Sequence, residues 1–235
     1  MRESDNRVKG RNRLLEALPE TSRKALAGSL ETVPLAPKRI LHRQDETLKY
    51  AYFPSTGMLS LTMPAGSRSV EVAMIGNEGM VGLPLVFGVG RCPMAVISHA
   101  GGEVIRLEAE AFLRQIRKDP AMAALLGRYA HAFTLSLARS VVCTKTHYID
   151  QRFARWLLMA QDRLLTDELA ITQERLARIL SVRRPTITQA ARKLQQQGFI
   201  QCRQGRLAIL NRRGVEQAAC ECYRAMRREM ALVLA

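Results

Sequence analysis

The stretch from Ile171 to Ile200 most constrains the fold, because it holds two helical patterns separated by only two residues. Thr172 suits a helix N-cap, since its hydroxyl can accept from a free N–H of the first turn. Leu176, Ala177, Ile179 and Leu180 are the buried positions of that first helix. Ser181-Val182 leaves room for a tight turn. A second helix starts near Arg183, with Pro185 in its first turn, where a missing N–H costs nothing. Ile187, Ala190, Ala191 and Leu194 form its inner face, and Gly198 ends it. Helices joined by so short a turn cross steeply, so the first turn of the second helix protrudes. Arg183, Arg184, Pro185, Thr186, Thr188, Gln189 and Arg192 are then exposed together. An arginine can fork onto guanine O6 and N7, and a glutamine onto adenine N6 and N7. Thr172, Gln173, Thr186 and the positive helix N-terminus suit phosphates. The segment therefore predicts a helix-turn-helix that reads duplex DNA. The competing reading is an ordinary helical hairpin with a charged outer face.

The sequence after Gly198 extends this reading. Phe199 to Leu210 forms two short apolar strands around Gln204-Gly205, the pattern of a β-hairpin. A hairpin directly after the second helix makes the module winged, with Arg203 and Arg206 at its tip near a phosphate backbone. Gly214 to Leu234 reads as one last helix, with Arg224, Arg227 and Arg228 as solvated surface. The charge agrees. The chain has 235 residues, 36 Lys and Arg against 21 Asp and Glu, and a formal net charge of +15. From Gln151 to the end there are 16 Lys and Arg against 7 Asp and Glu, so over half of the excess lies in about a third of the chain. A strongly basic balance is the footprint of a polyanion binder.

Upstream the periodicities differ. Residues 11–30 read as a short amphipathic helix built on Leu14, Leu15, Leu18, Leu26 and Leu30, punctuated afterwards by Pro34 and Pro37. From Arg39 to Leu107 short apolar runs alternate with turn signals such as Pro54-Ser55-Thr56-Gly57 and Gly76-Asn77-Glu78-Gly79, which predicts a small barrel or sandwich. Glu110–Arg117 gives a short helix. A long helix follows from Ala121 to about Thr146, in which Met122, Leu126, Tyr129, Phe133 and Leu137 make one apolar seam. That seam packs either on its own domain or on a second copy; the dimer is the preferred reading, because a helix joining two small domains would otherwise expose it. Asp150 is the N-cap expected for the next helix, which places a hinge at Lys145–Asp150. The expected domains are a β-roll sensor at 11–118, a dimerisation helix and hinge at 119–147, and a winged helix-turn-helix domain at 148–235.

Other functions find little support. The N-terminus has no apolar leader segment, and no window is long and apolar enough to span a bilayer, so the cytoplasm is expected. The five cysteines (Cys92, Cys143, Cys202, Cys220, Cys222) are then expected as reduced thiols. His42, His99, His131 and His147 are scattered, and no nucleophile elbow or paired-carboxylate motif stands out, so no enzyme is expected. Cys220-x-Cys222 falls on the predicted last helix, where side chains at i and i+2 diverge; neither a metal site nor a cofactor is expected.

In order, these parts resemble the cyclic-AMP receptor protein/Fnr (Crp/Fnr) family of bacterial regulators, from about Leu14 to Leu210. The resemblance implies an α+β architecture: a cyclic-nucleotide-binding-like β-roll, a long dimerisation helix and a C-terminal winged helix-turn-helix. Thr172–Ile200 aligns without gaps to the family's helix-turn-helix. Arg184 then looks like its guanine-reading arginine, and Thr186 like its phosphate-contacting threonine. Pro185 and Gln189 replace the family's glutamate and second arginine, which implies a different target sequence. Leu41–Asp45 and Tyr52-Phe53-Pro54-x-x-Gly57 resemble the early strands of the sensor roll. The effector pocket departs from the pattern. Gly82-Leu83-Pro84 stands where cyclic-nucleotide binders carry Gly-Glu-Leu. Cys92-Pro93 stands in place of Arg-Ser, with Arg91 one position early. Gly82, Leu83, Arg91 and Cys92 are thus a candidate pocket that is not expected to bind cyclic AMP, its effector unknown. The cysteine cluster of the oxygen-sensing branch is absent, since no Cys precedes Cys92. The expected partners are double-stranded DNA and a second copy of the chain, with RNA polymerase a further candidate. The alternative is a ligand-binding β-roll that regulates a partner protein.

Overall fold

The computed structural model describes residues 11–66 and 68–234. The leader reading of the first ten residues falls outside them. The amphipathic N-terminal helix is split in two, α1 (Arg13–Glu16) and α2 (Glu20–Leu26). Pro19 between them has no N–H to continue the ladder and disfavours helical backbone at Leu18. Leu14, Leu15, Leu18 and Leu26 are still buried as the pattern required. Asn12 anchors this corner. Its Oδ1 accepts from the Leu15 N–H at 2.9 Å, and its Nδ2 donates to the carbonyls of Pro54 (2.9 Å) and Gly79 (2.8 Å).

Seven strands follow: β1 (Glu31–Leu35), β2 (Ile40–His42), β3 (Tyr50–Pro54), β4 (Met58–Ala65), β5 (Arg68–Ile75), β6 (Ala95–Ala100) and β7 (Gly102–Glu108). They form two antiparallel sheets, β1-β7-β3 and β2-β6-β4-β5. β1 was not anticipated, because Pro34 reads as punctuation. The proline is tolerated because β1 is the edge strand of its sheet, where one row of N–H groups is unpaired anyway. Alternating inward residues such as Leu59, Leu61, Val96 and Val104 fill the space between the sheets. Gly57 turns β3 into β4 at φ +84°; a Cβ there would lie 2.9 Å from the Gly101 carbonyl oxygen.

The roll closes with α3 (Ala109–Lys118) and the long α4 (Pro120–Thr146). Asp119 caps α4, its carboxylate accepting from the Met122 N–H at 3.0 Å, and Pro120 occupies the first turn. Tyr129 locks α4 onto the roll. Its hydroxyl accepts from the Met80 N–H at 3.0 Å and donates to the Met80 carbonyl at 3.1 Å. Gly79 leaves room for that ring, since a Cβ there would collide with the hydroxyl. Tyr129→Phe strands both backbone groups of Met80 in an apolar core. Denaturant unfolding is expected to show a loss of about 1–3 kcal/mol; an unchanged midpoint would mean that the bonds contribute nothing.

The C-terminal part contains α5 (Ile149–Leu164), β8 (Glu168–Leu169), α6 (Gln173–Ile179), α7 (Arg184–Gln196), β9 (Ile200–Arg203), β10 (Arg206–Ile209), α8 (Arg212–Ala218) and α9 (Cys222–Leu234). Its core includes Phe153, Trp156, Leu157, Ile187 and Leu194, and runs on into Met58 and Met74 of the roll. The Trp156 and His99 rings pack tilted against each other at 5.7 Å between centroids, and Arg163 pairs with Glu78 at 2.8 Å in a mostly buried bridge. The winged domain is therefore docked against the roll. Between α4 and α5 only His147 and Tyr148 are non-helical, a break that falls within Lys145–Asp150. Asp150 is not the cap. The Gln151 side chain accepts from the Tyr148 N–H at 3.2 Å, while Asp150, one residue into the helix, reaches Lys193 of α7 at 2.5 Å.

Candidate nucleic-acid interface

α6, the turn and α7 follow the predicted geometry closely. Thr172 Oγ1 accepts from the Arg175 N–H at 3.2 Å, as a cap should. The turn is tight because Ser181 takes a left-handed φ of 54° and the Val182 N–H reaches back to the Ala177 carbonyl at 2.9 Å. Gly198, at φ +71°, ends α7. The Phe199 N–H bonds the Leu194 carbonyl and the Gly198 N–H bonds that of Gln195, both at 2.9 Å, which satisfies carbonyls that the helix leaves free.

This frame buries Ile187, Ala190, Ala191 and Leu194 and turns Arg183, Arg184, Pro185, Gln189 and Arg192 outward. The exposed set lies on one protruding ridge that begins at a helix N-terminus, the arrangement a major groove accepts. Thr186 and Thr188 are half-buried. Thr188 donates to Gln173 Oε1 at 2.7 Å, which ties α6 to α7. Arg203 and Arg206 face each other across the hairpin turn at Gln204-Gly205, both exposed. Arg206 is paired with Glu168 of β8 at 2.7 Å, which holds its guanidinium above the ordinary range. Sequence reasoning missed β8, a two-residue third strand of the wing; nothing so short stands out against loop. It also missed Gln195, whose Oε1 accepts from the Cys202 N–H at 2.6 Å and braces wing against helix.

The apolar seam of α4 does not face outward, so the preferred dimer reading of these residues is corrected. Met122, Leu126 and Tyr129 are buried in the roll's own core, Phe133 packs against its second cluster, and Leu137 lines a 530 Å³ cleft between α4, α5 and α9. The alternative, packing on the chain's own domains, prevails because roll and winged domain both close onto this face. The opposite face is the exposed one, carrying Ala124, Gly127, His131, Leu135, Ala138 and Val142 at three- and four-residue steps.

The candidate effector residues come together. Gly82, Leu83, Arg91 and Cys92 all line one pocket of about 250 Å³. Its walls are mostly apolar, with Leu61, Met80 and Phe133 among them, and among the described residues no carboxylate lines it. Burial pushes His42 below its ordinary pKa, keeping that imidazole neutral, and raises Cys92, keeping its thiol protonated. Arg91 stands exposed at the rim, where its Nε donates to the Asp45 carbonyl at 3.1 Å. A buried cyclic phosphate needs a paired cation; among the described lining residues Arg91 is the guanidinium, and it is exposed at the rim rather than buried in the pocket.

The predicted last helix is interrupted. The chain leaves helical geometry at Ala219 (φ −78°, ψ 151°) and resumes at Cys222, so Cys220 lies in the break. The divergence of i and i+2 side chains assumed for a continuous helix does not arise. No helix among the described residues is long and apolar enough to cross a membrane.

A β-roll joined through a long helix to a winged helix-turn-helix is the class of one-chain transcription regulators with a sensor domain. Residues 32–119 match the cyclic nucleotide-binding domain and residues 151–218 the Crp-like helix-turn-helix domain, together more than half of the chain. No curated protein matches the sequence. Solved structures share the fold: a structure described as a Crp/Fnr-family regulator from Eubacterium rectale (TM-score 0.65, 21% identity, 87% of this chain and 96% of that one); the c-di-GMP-responsive global regulator CLP of Xanthomonas campestris (0.65, 14%, 81% and 99%); and FixK2 of Bradyrhizobium japonicum (0.66, 16%, 81% and 98%). The chain belongs to the Crp/Fnr family of transcription regulators, with a helix-turn-helix DNA-binding domain.

Proposed function

We propose that this protein is a homodimeric, sequence-specific DNA-binding regulator without enzymatic activity, acting in the cytoplasm, whose roll responds to something other than a cyclic nucleotide. The observation that carries the reading is the set of Arg183, Arg184, Gln189 and Arg192, exposed together on a helix whose inner face is buried. Arg184 reads a guanine, and Gln189 an adenine or a neighbouring position. Thr172, Gln173, Thr186 and the wing arginines hold phosphates, Arg203 more freely than Arg206. The working division is a roll at 11–118, a helix and hinge at 119–147, and a winged domain at 148–235. The exposed face of α4 supplies the contact to a second copy. Its small residues Ala124, Gly127 and Ala138 permit close approach, and Leu135 and Val142 supply apolar area. A two-fold dimer places two reading helices in successive major grooves. RNA polymerase is a candidate partner of the bound dimer. The effector pocket suits a small apolar molecule.

In-vitro selection of duplexes bound by the purified chain tests the reading. The expected result is a dyad motif with half-sites about 10 bp apart. Affinity for that motif falls linearly in log–log form with salt, at a slope of about −0.9 per phosphate contacted. No enrichment, or binding indifferent to salt, would favour the roll as a ligand-binding regulator of a protein partner.

A further inference from the structure

Three cysteines and a histidine from distant parts of the chain converge at the hinge. Cys143 lies in the last turn of α4, and His147 follows one helical turn later. Cys220 lies in the break between α8 and α9, and Cys222 opens α9. α9 returns from there along α4 to the roll's core, where Val233 is buried, and this return brings the two pairs together. The four ligand atoms all lie within 4.8 Å of one another. Cys143 Sγ is 3.5 Å from Cys220 Sγ, and Cys222 Sγ is 3.7 Å from His147 Nδ1. A tetrahedral ion with metal–sulfur bonds of about 2.3 Å requires ligand–ligand edges of about 3.8 Å. These two pairs are already near that spacing.

The surroundings fit the same chemistry. All three cysteines are buried, and they form an apolar cluster of their own. His147 turns its Nε2 away from the thiols to Glu221 Oε1 at 3.1 Å. A carboxylate on the far nitrogen is how metal-bound imidazoles are oriented and their tautomer set. Three thiolates around a divalent ion leave one net negative charge. Arg152 and Arg155 stand close enough to couple by charge to Cys143, and the buried Nε of each has no hydrogen-bond partner among the described residues. Cations buried beside the cluster suit an anionic centre better than neutral thiols.

We propose that Cys143, His147, Cys220 and Cys222 bind a single tetrahedral transition-metal ion of the zinc class. Four protein ligands close the coordination sphere, so the site is structural, with no open position for substrate. The ion clamps the end of α4 and the hinge to the start of α9. Arg152 beside it donates to the Leu180 carbonyl at 2.9 Å, just before the turn between α6 and α7, so the clamp also sets the base of the helix-turn-helix.

The test is made on the full chain without DNA, which keeps it separate from the regulator reading. Metal analysis of protein purified without chelator should find close to one zinc per chain. Replacement by cobalt should give the intense visible absorption of a tetrahedral thiolate complex. Cys222→Ser and His147→Ala should remove most of the bound metal, whereas Cys202→Ser, outside the cluster, should keep it. Should the ligand variants fail to fold, Glu221→Ala retains every ligand and is expected to weaken metal affinity about 10- to 100-fold. Chelation should lower the Tm of the wild-type chain. Metal-free protein whose refilling with zinc or cobalt gives no tetrahedral spectrum overturns the proposal. So does a Cys143–Cys220 disulfide that forms in the isolated protein and accounts for both thiols.

Discussion

Arg184→Ala is expected to weaken specific DNA binding by about 1–3 kcal/mol, roughly 5- to 150-fold, and to relax base choice at one position of each half-site. The side chain is exposed at the start of α7, where Pro185 occupies the first turn and no side-chain cap depends on Arg184, so its removal leaves the helix intact. Circular dichroism and Tm should not change. What disappears is a bidentate contact that only a guanine can return. Arg203→Ala, at the wing, is the control. A phosphate contact carries no sequence information, so that variant should weaken all duplexes alike and reduce the salt slope by about 1. Gel-shift titrations against the selected motif and its single-base variants separate the two patterns. An Arg184→Ala protein with unaltered affinity and preference would remove this side chain from the reading set and would place recognition elsewhere on the ridge.

Leu135→Glu is expected to have the larger effect, converting the dimer to a monomer and lowering operator affinity more than about 100-fold, because the second half-site no longer binds as part of the same particle. Leu135 lies at the middle of the exposed stripe of α4, and a two-fold axis through this face brings two introduced carboxylates close together. Sedimentation equilibrium at micromolar concentration reads the mass directly. The paired control is Leu126→Ala on the opposite face. Leu126 is buried among the roll's own residues, so that change should lower the unfolding midpoint and leave the association state alone. If Leu135→Glu stays dimeric, or the wild-type chain is a monomer that binds its full site, the contact between copies lies elsewhere.

The difference between those two leucines shows where sequence reasoning stopped. The periodicity of Met122, Leu126, Tyr129 and Phe133 established an apolar seam on a long helix, and the seam exists. Which surface covers it is not a local property. It depends on the roll folding up against α4 so that the Tyr129 hydroxyl meets Met80. The same limit explains the cysteines. The four-residue step from Cys143 to His147, the residue that ends α4, keeps both on one side of the chain there, a cue available in the sequence. The break at Ala219 was not: nothing in the run Gln217–Cys222 marks a stop.

The helix-turn-helix was legible almost residue by residue, because its signals act over a few positions. A threonine cap, a proline in a first turn, a glycine at a helix end and a two-residue hairpin turn each restrict the backbone through contacts within one or two turns of chain. These local restrictions, together with the basic charge, determined the module and its chemistry from sequence alone. Tertiary structure decided what lies between distant segments: the inward side of α4, the apolar walls of the 250 Å³ pocket, and the meeting of Cys143 with Cys220. Such pairings depend on how whole elements pack. Burial of apolar area drives that packing without direction, so no short stretch of residues encodes it.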